Sequence, residues 1–321
     1  MKKIAGVVAI ALAAMMGIAR GADDYPNRPV KIVCVYPAGG GLDILLRAMG
    51  PKLSEIWGKP VVIENVAGAG TVMGTAAVAK ATPDGYTLLA TDMSFSVAAS
   101  FNDTLPYDPV KSLDPIQIFA IVSHGLVVNP SLPVKSLQEL VAYAKANPGK
   151  ISFATPGPGT IDHLGWALLN NMAGNTTTAI PYKGSAGGAL LDIVAGRVQA
   201  YSGATGTLAG YVQSGKLRGL VTFETERTKV LPDVPTVAEA GFPELTMNAW
   251  YGLFAPAGTP PDIIAKIDAA VAKVMDAKEV QDTLAQLGNI SVSGTGPDKF
   301  RAFLATDLER WRRAVAIAGK N

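Results

Sequence analysis

Short runs rich in β-branched residues, at 30–36, 61–64, 87–90, 116–122, 126–129, 151–154, 178–181, 198–201 and 217–221, alternate with stretches of helical periodicity at 44–57, 136–146, 187–195 and 207–214. Alternation of this kind predicts parallel α/β sheets with ligands at the carboxyl ends of the strands. The pattern changes near the C-terminus. Pro260-Pro261 opens a helix through Val274, positions 279–287 extend the helical pattern until Gly288, and Pro297 opens a last helix with Phe300, Phe303, Leu304, Leu308 and Trp311 on one stripe. Proline at the start and glycine past the end are the punctuation helices use. This tail is expected to return onto the first of two lobes, so the chain would cross between lobes near 121–126 and 247–254.

Two segments repeat one layout: an apolar run, a glycine and proline elbow, then an amphipathic stretch. The first runs through Tyr36-Pro-Ala38-Gly39-Gly40-Gly41-Leu42-Asp43, the second through Thr155-Pro-Gly157-Pro-Gly159-Thr160-Ile-Asp162-His163. An elbow at the carboxyl end of a strand that feeds a helix presents free backbone N–H groups and the positive end of the helix dipole, which suits an anion. Two elbows more than a hundred residues apart suggest two lobes closing on one small anion. Each elbow alone also reads as an ordinary strand-to-helix turn. Asp43 reads as an N-cap or first-turn carboxylate rather than a ligand contact.

Lys2 and Lys3, an apolar run at 4–19 and small residues before Asp23-Asp24 have the layout of a secretory leader, expected to occupy 1–22. Removing Lys2, Lys3 and Arg20 lowers 28 basic residues to 25 against 26 acidic ones. A nearly neutral mature chain has no electrostatic case for nucleic acid or anionic membranes. One cysteine excludes an internal disulfide, and two histidines far apart argue against zinc. No cofactor or metal is expected. Cys34 reads as a small buried hydrophobe, and about 300 mature residues is a length at which one core splits into two.

Other motifs narrow the chemistry. Gly-x-Gly-x-x-Gly is absent at the first elbow, which disfavours a dinucleotide site. Gly210-Tyr-Val-Gln-Ser-Gly-Lys216 has the spacing of a phosphate loop, but Leu217 replaces the required Ser or Thr and a helical pattern precedes it. His163 either donates to a ligand or satisfies local backbone, and His124 reads as structural. Neither has a nucleophile or carboxylate at motif spacing, so no enzymatic chemistry is expected. A third elbow, Pro181-Tyr182-Lys183-Gly184-Ser185, offers Lys183 either as a counter-charge for a carboxylate or as a solvated turn residue. Tyr36 and Tyr182 suit apolar walls with polar tips; Ser94, Ser202, Gly203 and Thr205 lie beyond other strand ends.

Several ordered segments extend these motifs: Tyr25-Pro-Asn-Arg-Pro29, Pro37-Ala-Gly-Gly-Gly-Leu-Asp43, Glu64-Asn65 with Gly68-Ala-Gly70, Pro83-Asp-Gly-Tyr-Thr87, Pro181-Tyr-Lys-Gly-Ser185, Leu231-Pro-Asp-Val-Pro-Thr-Val-Ala-Glu-Ala-Gly241 and Trp250-Tyr-Gly-Leu-Phe-Ala-Pro-Ala-Gly-Thr-Pro260. Together they resemble the Bug-type periplasmic receptors of tripartite tricarboxylate transporters over nearly the whole mature chain. The resemblance implies a two-lobed α/β periplasmic binding protein of the type II Venus flytrap form, each lobe a mainly parallel sheet flanked by helices. It places 23–123 plus 248–321 in one lobe and 124–247 in the other. It further implies a periplasmic monomer that takes a small carboxylate between the lobes and passes it to permease subunits in the membrane. The expected contacts are Tyr36, Ala38, Gly39, Gly40, Gly41, Leu42, Ser94, Thr155, Gly157, Gly159, Thr160, His163, Tyr182, Lys183, Gly184, Gly203 and Thr205.

Pocket positions depart from the family pattern. Leu42 stands where Thr or Ser is usual, Val66-Ala67 replaces Arg-Pro, Thr71 a Gly, Val72 a polar residue and Ala167 a Glu, and Gly203-Ala204 fills a place where Asp is frequent. Polar groups are exchanged for apolar surface, so the expected ligand is less polar than citrate or an acidic amino acid: an aromatic or otherwise apolar carboxylate. A sensor presenting its closed form to a membrane kinase, a receptor without its own transporter, or an exported α/β enzyme are the competing readings.

Overall fold

The computed structural model describes residues 24–318 except 103, 156, 158–159, 175, 183–185, 248 and 293. The expected leader and the expected contacts Gly159, Lys183 and Gly184 lie outside the described residues. In chain order the elements begin with β1 (Val30–Cys34), α1 (Gly41–Trp57), β2 (Val61–Asn65), α2 (Val72–Ala79), β3 (Thr87–Asp92), α3 (Ser94–Phe101) and β4 (Leu113–Val122). Then come β5 (His124–Val128), α4 (Leu137–Ala146), β6 (Ser152–Thr155), α5 (Ile161–Met172), β7 (Thr178–Pro181), α6 (Ala186–Val194), β8 (Ala200–Ala204), α7 (Thr205–Gln213) and β9 (Arg218–Thr222). The tail holds β10 (Ala249–Pro256), α8 (Pro261–Met275), α9 (Lys278–Leu287), β11 (Ile290–Ser291) and α10 (Gly296–Ala318).

These strands form two sheets, ordered β11-β4-β10-β3-β1-β2 and β7-β6-β8-β5-β9. In the first, β1 lies between two parallel neighbours, with Ile32 opposite both Ile63 and Leu88. Helices cover both faces, so Val30, Ile32, Val33 and Cys34 are all buried and the strand reads as a continuous apolar run. Burial pushes the Cys34 thiol up to about 11, leaving it a packing residue.

Both sheets are mixed rather than mainly parallel. The triplets β2-β1-β3 and β7-β6-β8 are parallel, and the other pairs run antiparallel. The cause is the pair of crossings. β4 and β5 are nearly one strand interrupted at Ser123, and β10 returns beside β4 with Ala249 opposite Val122. A strand that leaves one sheet and a strand that re-enters it must oppose each other.

The tail packs on the first sheet: α8 lies on β4 and α1, and α10 lies on β4 and α3 while also touching α5. Its predicted stripe is buried around Trp250, whose ring meets Phe300 edge-on at 5.3 Å. Such pairs contribute about 0.5–1.5 kcal/mol beyond area burial. The Trp250 and Trp311 Nε1–H groups both donate to Asp307, at 3.2 and 2.8 Å, so one buried carboxyl satisfies two buried indoles.

Candidate binding site

The first elbow is shaped by glycine and held from behind. Gly39 adopts φ +85°, a conformation that excludes a side chain without strain. Its N–H donates to Asp43 Oδ2 at 2.8 Å. Asp43 is buried, and Arg47 Nε and Asn65 Nδ2 donate to it at 2.9 Å each. Asn65 Nδ2 also reaches the Tyr36 carbonyl oxygen at 2.9 Å, tying the loop to β2. Burial opposes ionisation of Asp43, but the donors of Arg47, Gly39 and Asn65 outweigh it and hold the carboxyl below its ordinary range. Its charge is thereby neutralised behind the loop. The first intrahelical bond of α1 runs from Ile44 N–H to Gly40. Gly40, as N-cap, has no side chain to offer, so the amides of Gly41 and Leu42 have no acceptor within the helix.

The second elbow is arranged differently. Thr160 caps α5: its Oγ1 donates to the Gly157 carbonyl at 2.8 Å and accepts from His163 N–H at 3.3 Å. The first turn of α5 carries Asp162, 8% exposed, whose Oδ1 accepts from Ser202 Oγ at 2.6 Å. Oδ2 has no hydrogen-bond partner among the described residues.

Both elbows line one cavity of about 520 Å³ between the two sheets. Residues 37–42 form one side and Thr160, Ile161 and Asp162 the facing side, with Gly203, Ala204 and Thr207 beside them. Tyr36, Tyr201 and Tyr251 supply aromatic walls, and Val122 and His124 sit at the crossing. Gly41 lets the Tyr251 hydroxyl come close, since a Cβ there would stand 3.1 Å from it. Asp92, at the end of β3, also lines the cavity and accepts from Tyr36 Oη and Ser94 N–H at 2.8 Å each.

Among the described lining residues there is no lysine or arginine, and the ionisable groups besides the tyrosines are Asp92, Asp162 and His124. Burial raises the Asp92 carboxyl above its ordinary range, against the hydrogen bonds of Tyr36 and Ser94. Burial raises Asp162 too, with His124 and Ser202 opposing. His124 Nδ1 is buried without a partner, while its backbone N–H is held by Glu224 at 2.6 Å. No group of three or more His, Cys, Asp or Glu residues able to hold a metal ion occurs among the described residues.

The profile described as "Tripartite tricarboxylate transporter family receptor" matches residues 45–319. The chain belongs to this receptor family. It is 36% identical over 323 aligned positions to "Protein BugT" of Bordetella pertussis (strain Tohama I), covering 99% of this chain and 98% of that protein. Among solved structures it is similar to the periplasmic binding protein BugD, at TM-score 0.82 and 31% identity, covering 92% of this chain and 99% of that one. It is also similar to R. palustris Rpa4515 with adipate, at TM-score 0.83 and 31% identity, covering 92% and 99%. Two mixed sheets flanked by helices are the two-lobed fold of such binding proteins. No helix of the described residues is long and apolar enough to cross a membrane.

In this family member the expected residues Tyr36, Ala38, Gly39, Gly40, Gly41, Leu42, Ser94, Thr160 and Gly203 all line the cavity. Thr155, Gly157, His163, Tyr182 and Thr205 are not among its lining residues. Thr155 ends β6 beneath the elbow, its Oγ1 buried and unpartnered, and Gly157 accepts the Thr160 hydroxyl. His163 turns into an aromatic cluster, its ring 5.8 Å from Phe101 and 5.3 Å from Trp166, and burial lowers its pKa. Tyr182 donates to Asp192 at 2.6 Å, binding the end of β7 to α6. Thr205 is stapled to the Ser123 carbonyl through its N–H at 2.8 Å. The lining residues absent from the expected contacts include the polar and aromatic Asp92, His124, Asp162, Tyr201, Thr207 and Tyr251, with Pro37, Val122, Ile161 and Ala204 beside them. Asp92 ends β3, two residues beyond the run read at 87–90, which is the signal that could have found it, whereas the run read at 198–201 lies early in β8, of which Tyr201 is the second residue.

Proposed function

We propose that this protein is a periplasmic solute-binding receptor that captures a small carboxylate between two lobes, 23–123 plus 248–321 and 124–247, and delivers it to a tripartite tricarboxylate-type permease. The observation that carries this reading is that two similar strand-to-helix elbows, from different sheets and more than a hundred residues apart, face one cavity. The ligand carboxylate rests on the unpaired amides at the start of α1, where the helix dipole and N–H geometry favour an anion. The body of the ligand lies against Tyr36, Tyr201, Tyr251, Leu42 and Ile161. This lining supports an aromatic or otherwise apolar carboxylate rather than a tricarboxylate.

A ligand that touches both lobes binds the closed form better than the open form, so its affinity drives closure. The bending points are the neighbouring crossings at Ser123 and at Ala249, which pairs with Val122. The protein contributes position and charge, and no bond in the ligand is broken. Calorimetry and thermal denaturation against benzoate-like, aliphatic and tricarboxylic acids test the reading. Binding at 100 times the dissociation constant stabilises by about 2.7 kcal/mol and raises the melting temperature, with the ligand recovered unchanged. Turnover of a bound carboxylate, or strong binding of citrate with no response to apolar acids, contradicts it.

A further inference from the structure

We propose that Asp162 makes this receptor select a ligand that carries one carboxylate and, at its other end, a hydroxyl or ammonium donor, and reject a ligand with a second carboxylate there. The inference rests on the receptor reading above and adds the chemistry of the ligand's far end.

Three observations converge on it. Asp162 lines the cavity, is more than nine-tenths buried, and leaves Oδ2 without a hydrogen bond among the described residues while Ser202 occupies Oδ1. A carboxylate oxygen on a cavity wall with no protein donor takes its donor from the cavity. The second observation is the charge of the wall. Asp162 faces the cavity from the second lobe and no described lining residue is a lysine or arginine, whereas Asp92 belongs to the first sheet and is held by Tyr36 of the first elbow. A second ligand carboxylate meeting this wall is repelled, and a donor is attracted. The third is that Asp92 is already satisfied by Tyr36 Oη and Ser94 N–H, which singles out Asp162 as the carboxyl with capacity to spare.

The groups around Asp162 define the subsite. Ser202 approaches from β8, Tyr201 from the same strand and His124 from β5. Burial opposes ionisation of the Asp162 carboxyl, and a ligand donor at Oδ2 would favour the charged form.

Matched pairs of acids decide the matter: 6-aminohexanoate and 6-hydroxyhexanoate against adipate, and 4-aminobutyrate against succinate, each titrated calorimetrically into the full-length mature protein at neutral pH. Adipate is the informative comparator, since the similar Rpa4515 structure contains it. The expected result is that the amino or hydroxy acid of at least one pair binds about tenfold or more tighter than the diacid, and that Asp162→Asn reduces the ratio to about threefold or less. The wild-type ratio needs no variant, so poor folding of Asp162→Asn leaves the test standing. Diacids that bind as tightly as their partners overturn the inference while leaving the receptor reading intact, as does a preference unchanged in Asp162→Asn. A diacid preference that grows as the pH falls also overturns it, because Asp162 then acts as a protonated donor. No binding by any member overturns this inference alone, since the carboxylate reading stands or falls on the wider panel with benzoate-like acids.

Discussion

The two elbows begin from the same sequence layout and end with opposite electrostatics. At the first, the local carboxylate, Asp43, turns inward, takes the Gly39 N–H, and is neutralised by Arg47 and Asn65. The helix that follows is uncapped, and Gly41 and Leu42 at its start line the cavity. At the second, Thr160 caps the helix and the local carboxylate, Asp162, is on the cavity wall. A helix N-terminus attracts negative charge from wherever it is available. Where the protein's own carboxylate is sequestered, the helix start is left for a ligand anion; at the second elbow Thr160 caps the helix and Asp162 adds negative charge to the wall. In this proposal the cleft is polarised, with an anion-accepting end at the first elbow, whose neighbour Asp92 is held by Tyr36 and Ser94, and a donor-seeking end at Asp162.

The largest expected effect comes from blocking the first end. Gly41→Val places a branched side chain where a single Cβ already stands 3.1 Å from the Tyr251 hydroxyl, and it shields the α1 amides. Carboxylate affinity should fall about 100-fold, roughly 2.8 kcal/mol, with little change in the melting temperature of the free protein. Retained affinity in titration calorimetry shows that the carboxylate does not sit on the first elbow.

Next is the neutralised carboxylate behind it. Asp43→Ala removes the charged acceptor of part-buried hydrogen bonds from Gly39, Asn65 and Arg47, and should destabilise the fold by about 1–3 kcal/mol in denaturant titrations. The two carboxylates should also give opposite pH slopes. Asp43 has its folded pKa lowered, so its stabilisation is present above the ordinary value of 3.8 and is lost as the pH falls through the folded value. Asp162 has its folded pKa raised, so its protonated form favours folding below the ordinary value, and stability declines as the pH rises through the folded value. Melting curves from pH 3 to 7 for Asp43→Asn and Asp162→Asn should lose slopes of opposite sign relative to wild type; slopes of the same sign contradict the contrast drawn between the elbows.

Much of this architecture was legible in the chain, and the unread parts share physical causes. Glycine and proline mark both elbows, and β-branched runs mark the strands whose ends they follow. Short apolar elements carry no such signal: Val72–Ala79 is apolar on every face, and Ser94–Phe101 mixes serine, valine and phenylalanine over eight residues, so neither shows helical periodicity. β10 is buried along its whole length, and its run was legible only as a crossing. The second elbow had been expected to mirror the first. Asp162 stood in view within that motif, but its direction depends on Ser202, forty residues on, and on a sheet order that places β8 beside β6.

A smaller effect concerns how the two ends meet. Gly206, at the start of α7, packs so closely under the end of α9 that a Cβ there would collide with the Leu287 backbone. Leu287 in turn lies 3.9 Å from the Cβ position of Gly41, so this contact links the second sheet's side of the cleft to the first elbow. Gly206→Ala cannot be accommodated without a backbone shift, and it touches no residue assigned to the ligand. Affinity should fall about tenfold, and small-angle scattering should show a more open particle at saturating ligand. An unchanged affinity means that the two ends do not need this contact to close.

The smallest effect separates a cap from a ligand contact. Thr160 lines the cavity, yet both bonds of its hydroxyl are internal, to Gly157 and His163. A hydroxyl already used twice within its own turn stabilises the helix start and has one weak acceptor position left for a ligand. Thr160→Ala should therefore lower stability by about 1 kcal/mol in denaturant titrations while carboxylate affinity changes by about twofold or less. Thr160→Ser, which keeps the hydroxyl, should restore most of that stability. If affinity instead falls tenfold in Thr160→Ala and returns in Thr160→Ser, the second elbow grips the anion as the first does, and the polarity of the cleft is lost.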